Sequence, residues 1–381
     1  MRRRIVLLAV AAAALMTVLV VPAQAGGGQG ADRYIVVLKS AVDSNAVANL
    51  HSARYGANVD AVWSAALHGY AAVIPNDRVA ALRADPNVAY VETDGIAYAT
   101  AQTTPWGILK IGADKSSQLS GNGSGAVTNV DAYVIDTGID DAHPDLNVVQ
   151  SVNFANGPNK DCNGHGSHVA GTIGARDDAN GVVGVAPGIR LHAVRVLGCG
   201  GSGSWTGVIS GIDWVTAHAI KPAIANMSLG GSANAAVDDA VRGSAGSGVF
   251  YSLAAGNDGG NACSQSPARA GAGTNNGIAT VAATDSNDNE ASWSNYGPCV
   301  DIWAPGVSIY STYKGGGYAT LSGTSMASPH VGGGGALWLS TYSGSATQVE
   351  AALKSAAQST GTTSKNGAGI RREYVGTGTG F

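Results

Sequence analysis

The sequence predicts an α/β protein in two parts: a large three-layer αβα domain around a mostly parallel sheet, preceded by a small α+β domain. From residue 131 onward, apolar runs typical of buried strands alternate with helical stretches, the order of a parallel sheet covered on both faces. Residues 33–94 instead follow a split β-α-β order. The 381 residues exceed one ordinary domain, and the 45% hydrophobic and 13% charged content is that of a globular protein.

The first 25 residues have the three regions of a signal peptide. Arginines at 2–4 precede an apolar run over residues 5–21, and an Ala-Gln-Ala site ends at Ala25. The apolar run is long enough for a membrane anchor, but Pro22 and the uncharged residues after Ala25 favour cleavage. We therefore expect a secreted, extracellular protein.

Composition narrows the possible partners. A net charge of -4 without a basic patch argues against nucleic-acid binding. Four cysteines in a secreted chain without a Cys-x-x-Cys pair predict two disulfides and no metal site, and arithmetic alone leaves three connectivities. Once the signal peptide is removed, we expect a monomer without membrane contact.

The small domain is predicted from six short elements. Apolar strand patterns and helical stretches alternate along it. The strands are expected at residues 34–38, 59–63, 70–74 and 88–91, and the helices at 43–55 and 76–84. Taken alone, this domain is also consistent with a generic binding module.

In the large domain, an apolar run at 132–135 predicts a buried parallel strand that ends at Asp136. The later elements follow the same pattern. Strands are expected at 189–196, 224–227, 248–253 and 278–283, and helices at 205–219, 237–244 and 331–339. Since ligands bind at the carboxyl ends of parallel strands, we expect the functional site at that edge of the sheet.

Ser325 is the candidate nucleophile. It is flanked by small residues, and we expect Pro329 to open a buried helix behind it, in the first turn. A helix N-terminus favours developing negative charge. For this stretch alone, a serine that merely caps the helix is the favoured interpretation, and only the context below reverses it.

A serine hydroxyl needs a base and a group that orients the base. His165, at the mouth of a glycine-rich helix entry, and Asp136, at a strand end, are the candidates. Asp-Thr-Gly alone is typical of a turn. His165 and His168 are three residues apart with no Glu between them, so the zinc-peptidase pattern is absent, and no phosphate-loop lysine follows the glycines.

The order Asp136, His165, Ser325 and its contexts resemble the subtilisin family of serine endopeptidases. The contexts are Asp136-Thr-Gly-Ile-Asp, Gly164-His-Gly-Ser-His-Val-Ala-Gly-Thr, Ser228-Leu-Gly-Gly, Ala254-Ala-Gly-Asn and Gly323-Thr-Ser-Met-Ala-Ser-Pro-His. The resemblance implies a subtilisin-like catalytic domain over residues 101–381 that hydrolyses peptide bonds in proteins through an acyl-enzyme. It makes Asp136, His165 and Ser325 the catalytic triad and His168 structural.

The resemblance also implies the remaining site residues. Asn257 would donate its side-chain amide to the oxyanion, although an Asn after Gly is often a turn residue. Two glycine-rich edges would pair with an extended substrate, namely Gly201-Ser202-Gly203 and Ser228-Leu229-Gly230. The small residues Ala254, Ala255 and Gly256 would give an S1 pocket with apolar walls and no fixed charge, and thus broad specificity with an apolar or aromatic P1 preference.

Placed before such a domain, residues 26–100 resemble the ferredoxin-like I9-type inhibitory propeptide of the family. By this resemblance the propeptide assists folding as an intramolecular chaperone and then blocks the cleft. A parallel sheet has mostly non-local contacts, so its folding without a template is slow. The start Ala101-Gln-Thr-Thr-Pro-Trp-Gly resembles mature enzymes of the family, which puts the processing bond between Thr100 and Ala101.

The aqualysin-like and proteinase K branch of the family implies the disulfides and the ions. It pairs the cysteines in chain order, Cys162 with Cys199 and Cys263 with Cys299. It implies a structural Ca²⁺ held by Gln102, Asp145 and Asp178, hard oxygen ligands of the kind that calcium prefers, although a solvated acidic turn explains the aspartates as well. Asp301 resembles a second calcium ligand, but residues 270–277 form an insertion where its partners would be. No catalytic cofactor is implied.

Three function classes remain open to test: a secreted endopeptidase, a pseudoenzyme that binds peptides in the same cleft, and a non-proteolytic hydrolase. A binding module has no need of all three triad residues. A non-proteolytic hydrolase would more naturally carry a Gly-x-Ser-x-Gly elbow, which the sequence lacks. The endopeptidase is therefore the predicted function.

Overall fold

The computed structural model describes residues 30–94 and 102–381. They form two compact units, one within Met1–Tyr98 and one within Ala99–Phe381. The predicted signal peptide and the predicted processing bond Thr100–Ala101 lie outside the described residues. Within the described ranges, no helix combines the length and the apolarity needed to cross a membrane.

Residues 30–94 of the first unit form four strands and two helices. They are β1 (Ala31–Leu38), α1 (Ser44–Tyr55), β2 (Asn58–Trp63), β3 (Gly69–Pro75), α2 (Val79–Arg83) and β4 (Val88–Thr93). The strands form an antiparallel sheet in the order β2-β3-β1-β4, and both helices contribute to one core with its strands. α1 begins where the Asp43 carboxylate accepts hydrogen bonds from two backbone N–H groups and ends at Gly56, whose φ is +69°.

Residues 102–381 of the second unit form six α-helices and thirteen strands. In chain order they are α3 (Trp106–Lys110), β5 (Asp131–Asp136), β6 (Val148–Asn153), α4 (His165–Gly174), β7 (Arg190–Arg195), α5 (Trp205–His218), β8 (Ala223–Met227), β9 (Gly231–Ser232), α6 (Ala235–Gly246), β10 (Val249–Ala254), β11 (Gln265–Ser266), β12 (Ile278–Thr284), β13 (Ile302–Pro305), β14 (Ile309–Tyr313), β15 (Gly317–Leu321), α7 (Thr324–Thr341), α8 (Ala346–Ala356), β16 (Gln358–Thr363) and β17 (Gly369–Arg372). Short 3-10 helices lie at Ala113–Lys115, Ala262–Ser264 and Ala268–Gly271.

Nine of these strands form one sheet in the order β16-β17-β13-β12-β10-β8-β5-β7-β6. Neighbours in it run parallel except β16 and β17. Two small antiparallel pairs, β9 with β11 and β14 with β15, lie outside it. The mostly parallel sheet is the predicted one.

Alternating side chains of the central strands divide the interior into two layers. Ala132 and Val134 belong to a core that includes α4, α7 and α8, whereas Tyr133 and Ile135 belong to one that includes α5 and α6. Successive side chains of a strand point to opposite faces, so one fully buried strand serves both layers. The helices therefore cover both faces of the sheet, as predicted.

Helix α7 is buried along most of its length, and four consecutive glycines allow this. A Cβ at Gly333 would lie 2.5 Å from Val185 Cβ, and one at Gly335 would lie 2.6 Å from Phe250 Cδ1. The predicted start of this helix is wrong, because α7 begins at Thr324 and includes Pro329 after its first turn. Ser325 therefore lies within the first turn of α7.

Candidate active site

Asp136 and His165 come from separate elements and meet at the carboxyl edge of the sheet. Asp136 is the last residue of β5 and is fully buried, and His165 is the first residue of α4. His165 Nδ1 lies 2.7 Å from Asp136 Oδ1, which also accepts the backbone N–H of Thr137 at 2.7 Å. This contact fixes the imidazole with Nδ1 toward the carboxylate and Nε2 away from it.

The environment favours the protonated form of His165. Burial alone lowers its pKa, but the charge of Asp136, the hydrogen bond that His165 donates to Asp136 and the charge of Asp161 outweigh burial. The net pKa is raised above its usual range. The His165 side chain keeps 26% of its surface exposed, so its free nitrogen can reach solvent or a ligand.

Asp161 stabilises the loop that precedes His165, and the sequence did not predict this role. Its Oδ1 accepts hydrogen bonds from the backbone of Asn163 and Gly164 and from the Thr137 hydroxyl, at 2.8–3.0 Å. Its Oδ2 accepts both the backbone N–H and the hydroxyl of Ser167. An acidic residue just before a helix start is a typical capping signal and could have identified it.

The sequence did not predict Arg195 either, which hydrogen-bonds to the backbone of the same loop. Its side chain is fully buried at the end of β7, whose register pairs it with Asp136. The guanidinium donates to the carbonyls of Thr137, Asn156 and Pro158. Buried charge is tolerated only where hydrogen bonds satisfy it, and here backbone carbonyls do so.

Ser325 lies in the first turn of α7 and exchanges two hydrogen bonds with Ser228. Its hydroxyl donates to the Ser228 carbonyl at 3.2 Å, and the Ser228 hydroxyl donates to the Ser325 carbonyl at 2.8 Å. A helical carbonyl normally accepts from the residue four positions later, but that residue is Pro329, which has no N–H. Ser228 supplies the missing donor. The Ser325 hydroxyl thus points to Ser228 and not to the imidazole.

Two N–H donors converge near Ser325. Asn257 Oδ1 accepts the backbone N–H and the hydroxyl of Thr324, both at 2.9 Å, which orients Nδ2 the other way. A Cβ built on Gly323 would lie 3.6 Å from both Asn257 Nδ2 and the Ser325 backbone nitrogen. These groups can together bind one small anionic oxygen.

Two neighbouring cavities share the wall formed by residues 229–232. The first, about 460 Å³, is lined by His165 and by both predicted substrate edges, Gly201-Ser202-Gly203 and Ser228-Leu229-Gly230. The second, about 720 Å³, is lined by Ser325, Asn257, Ala254 and Gly256. The imidazole therefore lines one of two adjoining cavities and the serine lines the other, and together the cavities could take an extended peptide.

The second cavity differs from the predicted pocket in two respects. Ala255 is fully buried in a core with Ala262 and Ala282 and does not line the cavity, because alternate residues at the end of β10 face opposite sides. Asp258 does line it, together with Gln265 and Asn295, so the expectation of a wall without fixed charge is wrong.

The cysteines pair in chain order, which is the pairing that the resemblance implies. Cys162 is bonded to Cys199 and Cys263 to Cys299, closing separations of 37 and 36 residues. Each bond is worth roughly 3–4 kcal/mol on a chain-entropy model. The first bond ties the loop before His165 to the segment before the Gly201 edge.

The described residues contain no cluster of three or more acidic, histidine or cysteine side chains that could hold a metal ion, but the predicted calcium ligands do offer available oxygen atoms. Asp145 is buried; its Oδ2 accepts the Val182 N–H at 2.9 Å, whereas its Oδ1 has no hydrogen-bond partner among the described residues. Burial, with the charge of Asp178 beside it, raises the Asp145 pKa to about 6. Gln102 Nε2 donates to Arg176 O at 2.9 Å, which leaves its Oε1 as a further oxygen ligand. A cation would satisfy the unpaired oxygen and both carboxylates.

Asp301 does not fit a second calcium site. Its Oδ1 lies 2.9 Å from the Lys354 ammonium, and its Oδ2 accepts the Thr280 N–H at 2.9 Å. A lysine already supplies the positive charge there. Burial raises the pKa of Asp301 to about 6, although the hydrogen bonds from Thr280 and Lys354 act to lower it.

Comparison with known proteins gives two family matches. Residues 130–375 match the subtilase family, Peptidase_S8, and residues 33–100 match the peptidase inhibitor I9 family. The chain is 46% identical over 309 residues to the extracellular serine proteinase of Thermus sp. (strain Rt41A), which covers 78% of this chain and 73% of the relative. It is 45% identical over 277 residues to subtilisin DY of Bacillus licheniformis, covering 71% of this chain and 97% of the relative.

A solved structure is also similar. The crystal structure of a cold adapted subtilisin-like serine proteinase matches with a TM-score of 0.64 and 41% identity, over 71% of this chain and 97% of that chain. The fold that the sequence resemblance implied is therefore confirmed.

Asp161→Asn tests the role of this carboxylate in the histidine loop. An amide has one acceptor oxygen where the carboxylate has two, so at least two of the five donors lose their partner. We expect unfolding to cost about 2–4 kcal/mol less than in the wild type, measured by urea denaturation. Asp141→Asn, at an exposed aspartate, is the matched control and should change stability by no more than about 0.5 kcal/mol. Equal effects of the two substitutions would contradict the assigned role.

Proposed function

Because the chain belongs to the subtilase family of serine endopeptidases and carries a peptidase inhibitor I9 domain, we propose that it is a secreted zymogen whose triad is Asp136, His165 and Ser325. The observation that carries the assignment is the 2.7 Å contact between Asp136 and His165 beside a cavity that adjoins the one lined by Ser325. The chemistry below follows from this contact.

In the first step, Ser325 Oγ attacks the substrate carbonyl carbon while its proton passes to His165 Nε2. The hydroxyl must first turn from the Ser228 carbonyl to the imidazole, a rotation about one side-chain bond. The Asp136 carboxylate stabilises the imidazolium that forms, which agrees with the raised pKa of His165.

The tetrahedral intermediate places negative charge on the former carbonyl oxygen. We assign the Ser325 backbone N–H and Asn257 Nδ2 as its donors, since both lie beside Gly323. Loss of a side-chain donor of this kind costs about 3–4 kcal/mol of transition-state stabilisation, a magnitude taken from a subtilisin and carried over here. The donors are fixed before the reaction, so no reorganisation is needed when charge develops.

The intermediate then collapses with His165 protonating the leaving amine, which gives an acyl-enzyme on Ser325. A water molecule then gives a proton to His165 and attacks the acyl carbon. As the bond between the acyl carbon and Ser325 Oγ breaks, His165 returns this proton to Oγ, and the acid is released. Both halves use the same base and the same oxyanion donors.

The substrate is proposed to lie extended between the edges Gly201-Ser202-Gly203 and Ser228-Leu229-Gly230, paired through main-chain hydrogen bonds. Ala254 and Gly256 in the second cavity support broad specificity with a preference for apolar or aromatic P1 side chains. Among the described residues that line this cavity, Asp258 is the ionisable one. Its negative charge will therefore modulate the preference for apolar or aromatic P1 side chains.

A structural Ca²⁺ is proposed at Gln102, Asp145 and Asp178. When bound, the ion would neutralise two carboxylates and tie the start of the mature chain to residues 176–182. It takes no part in the catalytic steps.

The experiment that tests the proposal is labelling with a serine-directed phosphonylating reagent, followed by peptide mapping. The label should be found on Ser325, with proteolytic activity lost in proportion to its incorporation. His165→Ala should react far more slowly because the nucleophile lacks its base. Stoichiometric labelling at another serine, or no labelling of an active preparation, would refute the assignment.

The pH dependence of kcat/KM should follow the protonation of His165. The base must be neutral, so activity is low in acid and rises as pH passes through the pKa of the free enzyme. Since that pKa is raised, the midpoint should lie somewhat above the ordinary histidine value of about 6.5. Steady-state rates on a peptide substrate from about pH 5 to about pH 9 would test this. A flat profile would argue against His165 as the base.

Chelation should lower the melting temperature without altering the triad. Ligand binding to the native state stabilises by mass action, so removal of Ca²⁺ reverses that gain. Protons compete for Asp145, whose pKa is about 6 without metal, so the effect of chelator should be large at about pH 8 and small at about pH 5. Asp145→Asn should lose the response and Asp141→Asn should keep it. An unchanged wild-type melting temperature in chelator would rule out the site.

Maturation should depend on Ser325. The tail before Ala101 is tethered to the catalytic domain and can reach its cleft at high effective concentration, so we propose that cleavage at Thr100–Ala101 is intramolecular. Ser325→Ala should accumulate as one chain that retains residues from Gly26 onward, while Ser340→Ala should be processed normally. Mass spectrometry of both variants from a protease-deficient host would decide. Cleavage of Ser325→Ala at this bond would mean that another protease activates the enzyme.

A further inference from the structure

Asn295 lies against the turn that carries Asn257, in a segment that no sequence motif marks. The segment runs along the turn, with the Gly259 N–H donating to Trp293 O at 2.7 Å and the Tyr296 N–H donating to Gly260 O at 2.9 Å. Asn295 is 1% exposed. It also lines the second cavity, so its contacts with the turn form part of the cavity wall.

Every polar group of the Asn295 side chain bonds to this turn. Nδ2 donates to the carbonyl of Ala255 at 3.0 Å. Oδ1 accepts the N–H of Asp258 at 3.1 Å and the N–H of Gly260 at 2.8 Å. The backbone N–H of Asn295 donates to Gly256 O at 2.8 Å. One residue thus binds the chain on both sides of Asn257.

The fit against Gly256 shows how closely the amide is held. Gly256 has a φ of +103°, which favours glycine, and a Cβ there would lie 2.3 Å from Asn295 Nδ2. The turn therefore curves around the amide one residue before Asn257. Any shift of the amide would be passed to the donor through a single peptide unit.

We propose that Asn295 is the positioning residue of the oxyanion donor Asn257, and this inference rests on the proposed function. Thr324 fixes the Asn257 side chain from the helix side, through two hydrogen bonds to Oδ1. Asn295 fixes the Asn257 backbone from the opposite side. Oxyanion stabilisation needs the donor at its final position before charge develops, and a displacement of about 1 Å costs up to about 100-fold in rate.

Asn295→Ala should lower kcat by about 10–100-fold with little change in KM. The oxyanion donor bonds more strongly to the transition state than to the bound substrate, so its displacement affects kcat more than substrate binding. The segment should stay in place, since its backbone bonds at Trp293 and Tyr296 remain. Binding of a peptide boronic acid, which forms a tetrahedral adduct, should weaken by the same factor as kcat/KM falls. Leu353→Ala, a buried change in α8, controls for lost stability and should leave both constants near wild type.

A double-mutant cycle with Asn257→Ala gives the sharpest test. If Asn295 acts through Asn257, its substitution should matter little, less than about 3-fold, once Asn257 is already alanine. Additive losses would overturn the inference, as would a change confined to KM, which would make Asn295 a substrate contact. If Asn257→Ala itself has no effect, the proposed oxyanion donor fails instead, so the two failures are distinguishable. Active sites are titrated with the phosphonylating reagent, so that incompletely processed enzyme is not counted.

Asn295→Asp provides a second variant with the shape retained. A carboxylate keeps the acceptor for Asp258 and Gly260 but cannot donate to Ala255, whereas a protonated carboxyl can do both. The ratio of its kcat/KM to that of the wild type should therefore rise as pH falls through the pKa of the new carboxyl. A ratio that is independent of pH, together with wild-type kcat in Asn295→Ala, would exclude the positioning role.

Discussion

The contact between Asp136 and His165 is the interaction on which the rest of the site depends. Asp136 ends a strand that is buried on both faces, so its charge needs donors close by. His165 is the first residue of α4 and follows a loop. This loop must therefore place the imidazole within hydrogen-bond distance of Asp136 at the end of β5. The Asp161 carboxylate accepts five hydrogen bonds within and beside this loop, and the buried Arg195 donates to the Pro158 carbonyl in it. The disulfide between Cys162 and Cys199 closes it.

The nucleophile depends on a second arrangement, which couples packing to chemistry. Helix α7 runs through the core because consecutive glycines let it approach Val185 and Phe250. Pro329 has no N–H that could bond to the Ser325 carbonyl, and the hydroxyl of Ser228, just after β8, donates to that carbonyl instead. The proposed nucleophile is thus held by a residue of the proposed substrate edge. On this proposal, substrate binding along that edge and alignment of Ser325 depend on the same segment.

The sequence predicted those parts of the fold that arise from local pattern. Apolar runs identified the buried parallel strands, and the Asp, His and Ser contexts identified the family that the comparisons confirm. Arg195 and Asn295 were not predicted, because their contacts join positions far apart in the chain and have no local sequence signal. Asp161 was not predicted although its position just before a helix is a capping signal. The start of α7 was misplaced because proline was taken to mark a first turn. Ala255 and Asp301 were misassigned because alternation at a strand end and a nearby lysine are visible only in three dimensions.

The most direct measurement of the central contact is an NMR titration of His165 in Ser325→Ala, with and without the additional change Asp136→Asn. Burial lowers the histidine pKa and the Asp136 carboxylate raises it, so the two contributions oppose each other in the same ring. The structure predicts a pKa above about 6.5 with Asp136 and a clear fall when the carboxylate becomes an amide. A His165 pKa that is the same in both proteins would contradict the account.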